Sequence, residues 1–168
     1  MFEVGDCIIN GSNGVCRVVE ITTLQFDGID KDKEYYVLQP LYLKKSRVFT
    51  PVGTEKVVNR KVVSKEEAKN LIDGIIDMDM EWIADDKARE RNHKECMQTY
   101  DCITWIKIIR MLYARKQELV TLGKKMTNMD ERYLHMSEEY LFGELSTSLE
   151  VEKDKIEEMI TERLHQIA

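Results

Sequence analysis

The side chains with the most chemistry to offer lie between residues 82 and 94. There Trp82 is followed by Lys87, Arg89, Arg91 and Lys94. An indole beside several cations is suited to entering a distorted nucleic-acid groove, with the cations holding phosphates. The same indole also suits sealing the junction between two helices, and on the residues alone both readings of Trp82 stay open. Asp79, Glu81, Asp85 and Asp86 surround it with carboxylates, which works against a polyanionic partner.

Other chemistries find less support. His93, Cys96 and Cys102 are grouped, but their spacing matches no common zinc pattern and a fourth ligand is missing. His135 falls at helical spacing from Glu131, Glu138 and Glu139, the arrangement of a surface ion pair. There is no Walker loop and no GxGxxG, and the glycines of GSNG at 11–14 belong to a turn between strand-like runs. The expectation is a non-enzyme with no cofactor, no bound metal and no small-molecule substrate.

The 168 residues carry a formal charge of -6, unevenly spread. Residues 1–64 and 65–128 are almost neutral, whereas residues 129–168 hold 4 basic and 11 acidic side chains. Within the middle, residues 86–125 carry 10 basic groups against 5 acids, so a locally basic surface is expected there. No apolar run approaches the ~20 residues of a membrane span. The start MFEVGDC lacks the basic and apolar regions of a secretory signal. Four cysteines without a CxxC pair fit reduced, buried thiols, so the expected compartment is the cytoplasm.

The elements that would position these groups change character near residues 60–64. Before that point CIIN, VCRVVEI, YYVLQPLYL, RVFTPV and RKVV are strand-like, rich in β-branched and aromatic residues. Asn13-Gly14 predicts a tight hairpin with positive φ angles, and Pro40 and Pro51 fit strand ends or edges. Five short antiparallel strands in about 60 residues suggest an SH3- or Tudor-like barrel. From Ser64 the apolar period becomes helical. Ser64 to Glu67 reads as a capping box, followed by Ala68, Leu71, Ile72, Ile75 and Ile76. A mostly polar helix is expected over about 80–98. A third, capped by Asp101 and apolar nearly all round, should occupy the centre of a bundle with Trp105 in its core and Gly123 at its end. Thr127 opens a fourth helix, and a fifth runs over about 152–167 through Ile156, Ile160, Leu164 and Ile167. The fold class is therefore α+β, with a five-stranded barrel at 1–62 and a helical domain at 63–168.

Several motifs in order resemble the CarD/CdnL family of bacterial transcription regulators. Phe2, Gly5 and Asp6, Asn13 to Val18, Ile21, YYVL at 35–38 and VFTPV at 48–52 match its opening pattern. Trp82-Ile83, Arg89, DCxxWIKIIR at 101–110, Leu112-Tyr113, DERYL at 130–134 and Gly143 to Leu145 extend the likeness. The same amino-terminal module occurs in the transcription-repair coupling factor. The resemblance implies a Tudor-like barrel that docks on the RNA polymerase β subunit by strand addition, here through Ser46 to Val52 with Arg47, Phe49 and Thr50 as contacts. It also implies a helical domain on promoter DNA at the upstream edge of the melted bubble. Trp82 would be the minor-groove wedge, with Lys87, Arg89, Arg91 and Lys94 on phosphates, independent of sequence. A protein-interaction adaptor on polymerase without DNA contact is the alternative.

Overall fold

The computed structural model describes residues 1–43 and 46–166 and divides the chain into two compact units, Met1–Val62 and Val63–Ala168. In the first unit five strands are described: β1 (Cys7–Asn10), β2 (Val15–Thr23), β3 (Glu34–Pro40), β4 (Val48–Pro51) and β5 (Asn59–Lys61). Each neighbouring pair is antiparallel, and the order β4-β3-β2-β1-β5 leaves β4 and β5 at the two edges. Pro40 and Pro51 each close a strand, where a missing donor is cheapest.

The alternation of β-branched and aromatic residues places Ile8, Cys16, Val18, Tyr36 and Leu38 on one buried face, with Phe2, Ile21, Val48 and Val52 packed against them. Phe2 seals this core by donating its amide to the Tyr36 hydroxyl at 3.0 Å. A register shift between Val18 and Glu20 bends β2. Such a bulge curls a sheet. The link between β1 and β2 differs from the expected two-residue hairpin: Gly11–Asn13 form a 3-10 turn. The positive φ angles fall on Gly11 (44°) and Gly14 (66°), leaving Asn13 free to donate to the Asn10 side chain.

The second unit contains, among the described residues, α1 (Lys65–Asp73), α2 (Asp86–Met97), α3 (Cys102–Thr121), α4 (Asn128–Leu149) and α5 (Lys153–His165). A short 3-10 turn follows α1 at Gly74–Asp77. Ser64 and Glu67 form the capping box, Asp101 caps α3, and Thr127 caps α4. Gly123, at φ 68°, lets the chain leave α3. Residue 167, expected in the last helix, lies outside the described residues. Trp105, Ile106, Ile108, Ile109 and Leu112 on α3 are buried, and α3 packs along α4. Trp105 is fully buried and stacks on Tyr140 with ring centroids 5.3 Å apart. Glu144 on α4, also fully buried, accepts from the Val63 amide and the Cys102 thiol. No described helix is long and apolar enough to cross a membrane.

The polar helix begins later than expected. Asp85 accepts from the Ala88 amide, so α2 starts at Asp86, and residues 78–85 run as non-helical chain. Trp82 is thus on a connecting segment, four residues before α2.

Candidate functional site

The β4 edge displays alternate residues in opposite ways. Phe49 is 48% exposed and Arg47 is exposed, whereas Thr50 is 4% exposed. Val52 donates to the Glu34 carbonyl at 3.0 Å, and the register pairs Thr50 with Tyr36 and Val48 with Leu38. In an antiparallel ladder the bonded pairs alternate, so Val48 and Thr50 bond inward to β3 while the Phe49 amide and carbonyl point away from the sheet. An incoming strand would therefore meet Phe49 first, by both backbone and side chain. The Thr50 side chain, expected as a contact, is turned inward.

Asn10 explains the inward turn of Thr50. Its side chain is 1% exposed and donates to the Thr50 hydroxyl at 3.0 Å and to the Asn59 carbonyl oxygen at 2.7 Å, while accepting from Asn13 at 2.8 Å. One amide on β1 thus touches both edge strands, β4 and β5. Among the described residues no backbone ladder joins these two strands, and Asn10 spans the interval between them. Unmade, these bonds would leave buried polar atoms at a cost of about 1–3 kcal/mol each.

In the helical unit Trp82 is partly buried and packs on the core beside Met78 and Met80. The guanidinium carbons of Arg89 and Arg115 lie 4.4 and 5.1 Å from its ring centroid. Such contacts contribute about 0.5–2 kcal/mol each, more where water is excluded. The segment around the ring is pinned at both ends. Arg110 donates to the Met78 carbonyl, and Arg89 Nη1 donates to the carbonyls of Ile83 and Ala84 at 2.9 and 3.3 Å.

Arg89 therefore does not serve as a surface cation. It is 2% exposed, and its Nε and Nη2 form a two-pronged pair with Asp130 of α4, each at 2.9 Å. Nη2 also reaches Asp86 at 2.7 Å. Its donors are committed inside the fold, which sets it apart from the exposed cations expected with it on phosphates. Asp130 is 3% exposed and takes further hydrogen bonds from Thr127 and from His93 Nε2, the latter at 3.0 Å.

The charges of this cluster follow from burial and partners. Burial pushes the Asp130 carboxyl up, but hydrogen bonds from Arg89, His93 and Thr127 outweigh it and hold the group below its ordinary value. The hydrogen bond to Asp130 raises Arg89 above its ordinary value despite burial. Burial dominates at His93 and lowers it below its ordinary value, so the ring is neutral at pH 7. An ionised Asp130 can only accept, which places the His93 proton on Nε2; the buried Nδ1 has no hydrogen-bond partner.

The remaining cations expected on DNA, Lys87, Arg91 and Lys94, are exposed. Their spacing of four and three residues puts them on one face of α2, opposite Arg89, His93 and Met97 at spacing four. Lys94 shares Glu90 with Arg132 of α4, at 3.8 and 3.3 Å. Arg115, which sequence reasoning counted only as part of a basic stretch, joins the Trp82 surface from α3; only the fold could bring it there. Cys96 and Cys102 do not join His93, and among the described residues no group of three or more histidines, cysteines or carboxylates could hold a metal ion.

Residues 2–63 match the sequence model of the CarD-like/TRCF RID domain, a family of RNA polymerase-interacting domains. No curated protein matches the chain. The match covers the whole sheet of the first unit, including β4, and stops where the helical unit begins. Residues 2–63 of this chain are thus similar to the CarD-like/TRCF RID domain.

Proposed function

We propose that this chain is a bacterial regulator of transcription initiation that docks on the RNA polymerase β subunit through β4 and contacts promoter DNA through its helical unit. The family match of residues 2–63 carries this reading. The exposed Phe49 edge supports it, because strand addition needs outward backbone groups and a side chain available to the partner. Arg47, beside it, supplies a charged contact. The curled sheet that Asn10 bridges suits a Tudor-like barrel closed by side chains in place of a backbone ladder.

On this reading the helical unit lies at the upstream edge of the melted bubble. Trp82 wedges into the minor groove, and Lys87, Arg91 and Lys94 hold phosphates without reading sequence. No bond chemistry is involved. A protein that binds the open complex better than the closed one shifts that equilibrium by its differential affinity. Each ~1.4 kcal/mol of that difference changes the open population about tenfold. The protein would act in the bacterial cytoplasm with no cofactor.

Titration of the full chain against the isolated β-subunit lobe tests the docking half. Saturable binding that weakens on Phe49→Ala supports it, and absence of binding by the wild-type chain overturns it. A second reading, an adaptor that docks on polymerase but meets protein through its helical unit, draws on the carboxylates of Asp79, Glu81, Asp85 and Asp86 around the indole. An open-complex lifetime unchanged by Trp82→Ala, with polymerase binding intact, would favour it.

A further inference from the structure

We propose that Arg89 and Asp130 are positioning residues that set how Trp82 is presented, and that Trp82 reaches DNA only while this buried pair is intact. The inference rests on the reading that Trp82 contacts promoter DNA. Its physical basis is a continuous chain of contacts. Thr127 and His93 fix the Asp130 carboxylate from α4 and α2. Asp130 holds the Arg89 guanidinium by two bonds of 2.9 Å. That guanidinium lies 4.4 Å from the Trp82 ring centroid and ties down the Ile83 and Ala84 carbonyls beside it.

Between the helical bonds made by the Met78 amide and the Asp85 carbonyl, residues 79–84 are non-helical, so these borrowed donors fix their path. A planar guanidinium is the only side chain able to meet a carboxylate with two prongs, bond two carbonyls and lie over an indole at once. Lysine keeps the charge but has neither the plane nor the fork. A wedge must be held rigid before it meets DNA, because ordering it on contact subtracts from affinity. Arg89 acts on DNA only through Trp82, which separates its role from that of the exposed Lys87, Arg91 and Lys94.

The test is acrylamide quenching of tryptophan emission, read beside open-complex lifetime, in the full chain. Trp105 is fully buried, so the quencher reports Trp82. In Arg89→Lys the quenching constant rises by about two-fold or more as the ring loses its planar cover, and open-complex lifetime falls to that of Trp82→Ala. The double variant is no worse than Trp82→Ala alone. Asp130→Asn moves both readouts in the same direction. Should Arg89→Lys fail to fold, Asp86→Asn removes only an exposed partner of Nη2 and is expected to raise quenching by a smaller amount. Unchanged quenching in the folded variants overturns the inference. If quenching rises but Trp82→Ala itself leaves open complexes unaltered, the positioning role stands and the DNA reading falls.

Discussion

Asn10 on β1 donates to the Thr50 hydroxyl on β4 across 3.0 Å, and the same side-chain amide reaches Asn59 on β5. A single buried side chain thereby ties the β4 edge to β1 and β5. Asn10→Ala removes three hydrogen bonds and takes a donor from both the Thr50 hydroxyl and the Asn59 side-chain oxygen. The expected loss is about 2–4 kcal/mol in the amino-terminal unit, read as a lower urea midpoint with an unchanged slope, together with weaker binding to the β lobe.

Phe49 and Thr50 should respond in opposite ways. Phe49→Ala is expected to weaken β-lobe binding about tenfold or more with little change in stability, because the ring is already half exposed. Thr50→Val is expected to cost about 1 kcal/mol of stability through the broken Asn10 bond, and to alter binding only as far as unfolding does. Calorimetric titration alongside thermal melts separates the two.

Within α2 the contrast lies between Arg89 and Arg91. Arg89→Ala strands Asp130 in the interior and is expected to cost about 3–5 kcal/mol, whereas Arg91→Ala at an exposed position should cost less than about 0.5 kcal/mol. On DNA the order reverses in kind. Neutralising Lys87, Arg91 or Lys94 should each lower the slope of log affinity against log salt by about one, measured by fluorescence anisotropy on a fork-shaped duplex.

Stability should fall as the medium is acidified, in two stages. His93 is held below its ordinary 6.5, so below that pH the unfolded chain binds a proton that the folded chain refuses, and stability drops until the folded value is passed. Asp130 is held below its ordinary 3.8, so its contribution is present above that value and is lost as pH falls through the lowered one. Urea unfolding at pH 8, 6.5 and 5 should show the first stage, and His93→Gln should flatten it.

Much of this was legible in the residues, and what was hidden has a physical reason. Strand periodicity and the caps at Ser64, Asp101 and Thr127 marked the elements because each depends on neighbours within a few residues. The start of α2 was misjudged, although Asp85 three residues before Ala88 is a capping signal, because the polar run 79–85 continues without a break into the helix. Its inward face was unreadable for a related reason. Two of the three residues that α2 buries are Arg89 and His93, which look like surface residues until Asp130, about forty positions later, is brought beside them. The inward turn of Thr50 is not legible from β4 alone, because its alternation cannot be phased until β3 supplies the register.

The lifetime of open promoter complexes, measured after a heparin challenge with polymerase saturated by the chain, tests the central claim most directly. The wild-type chain should prolong that lifetime, Trp82→Ala should abolish most of the gain while still binding the β lobe, and Phe49→Ala should lose the gain at low protein concentration and regain it at high. Equal lifetimes with wild-type and Trp82→Ala chains, both demonstrably bound to polymerase, would contradict the account.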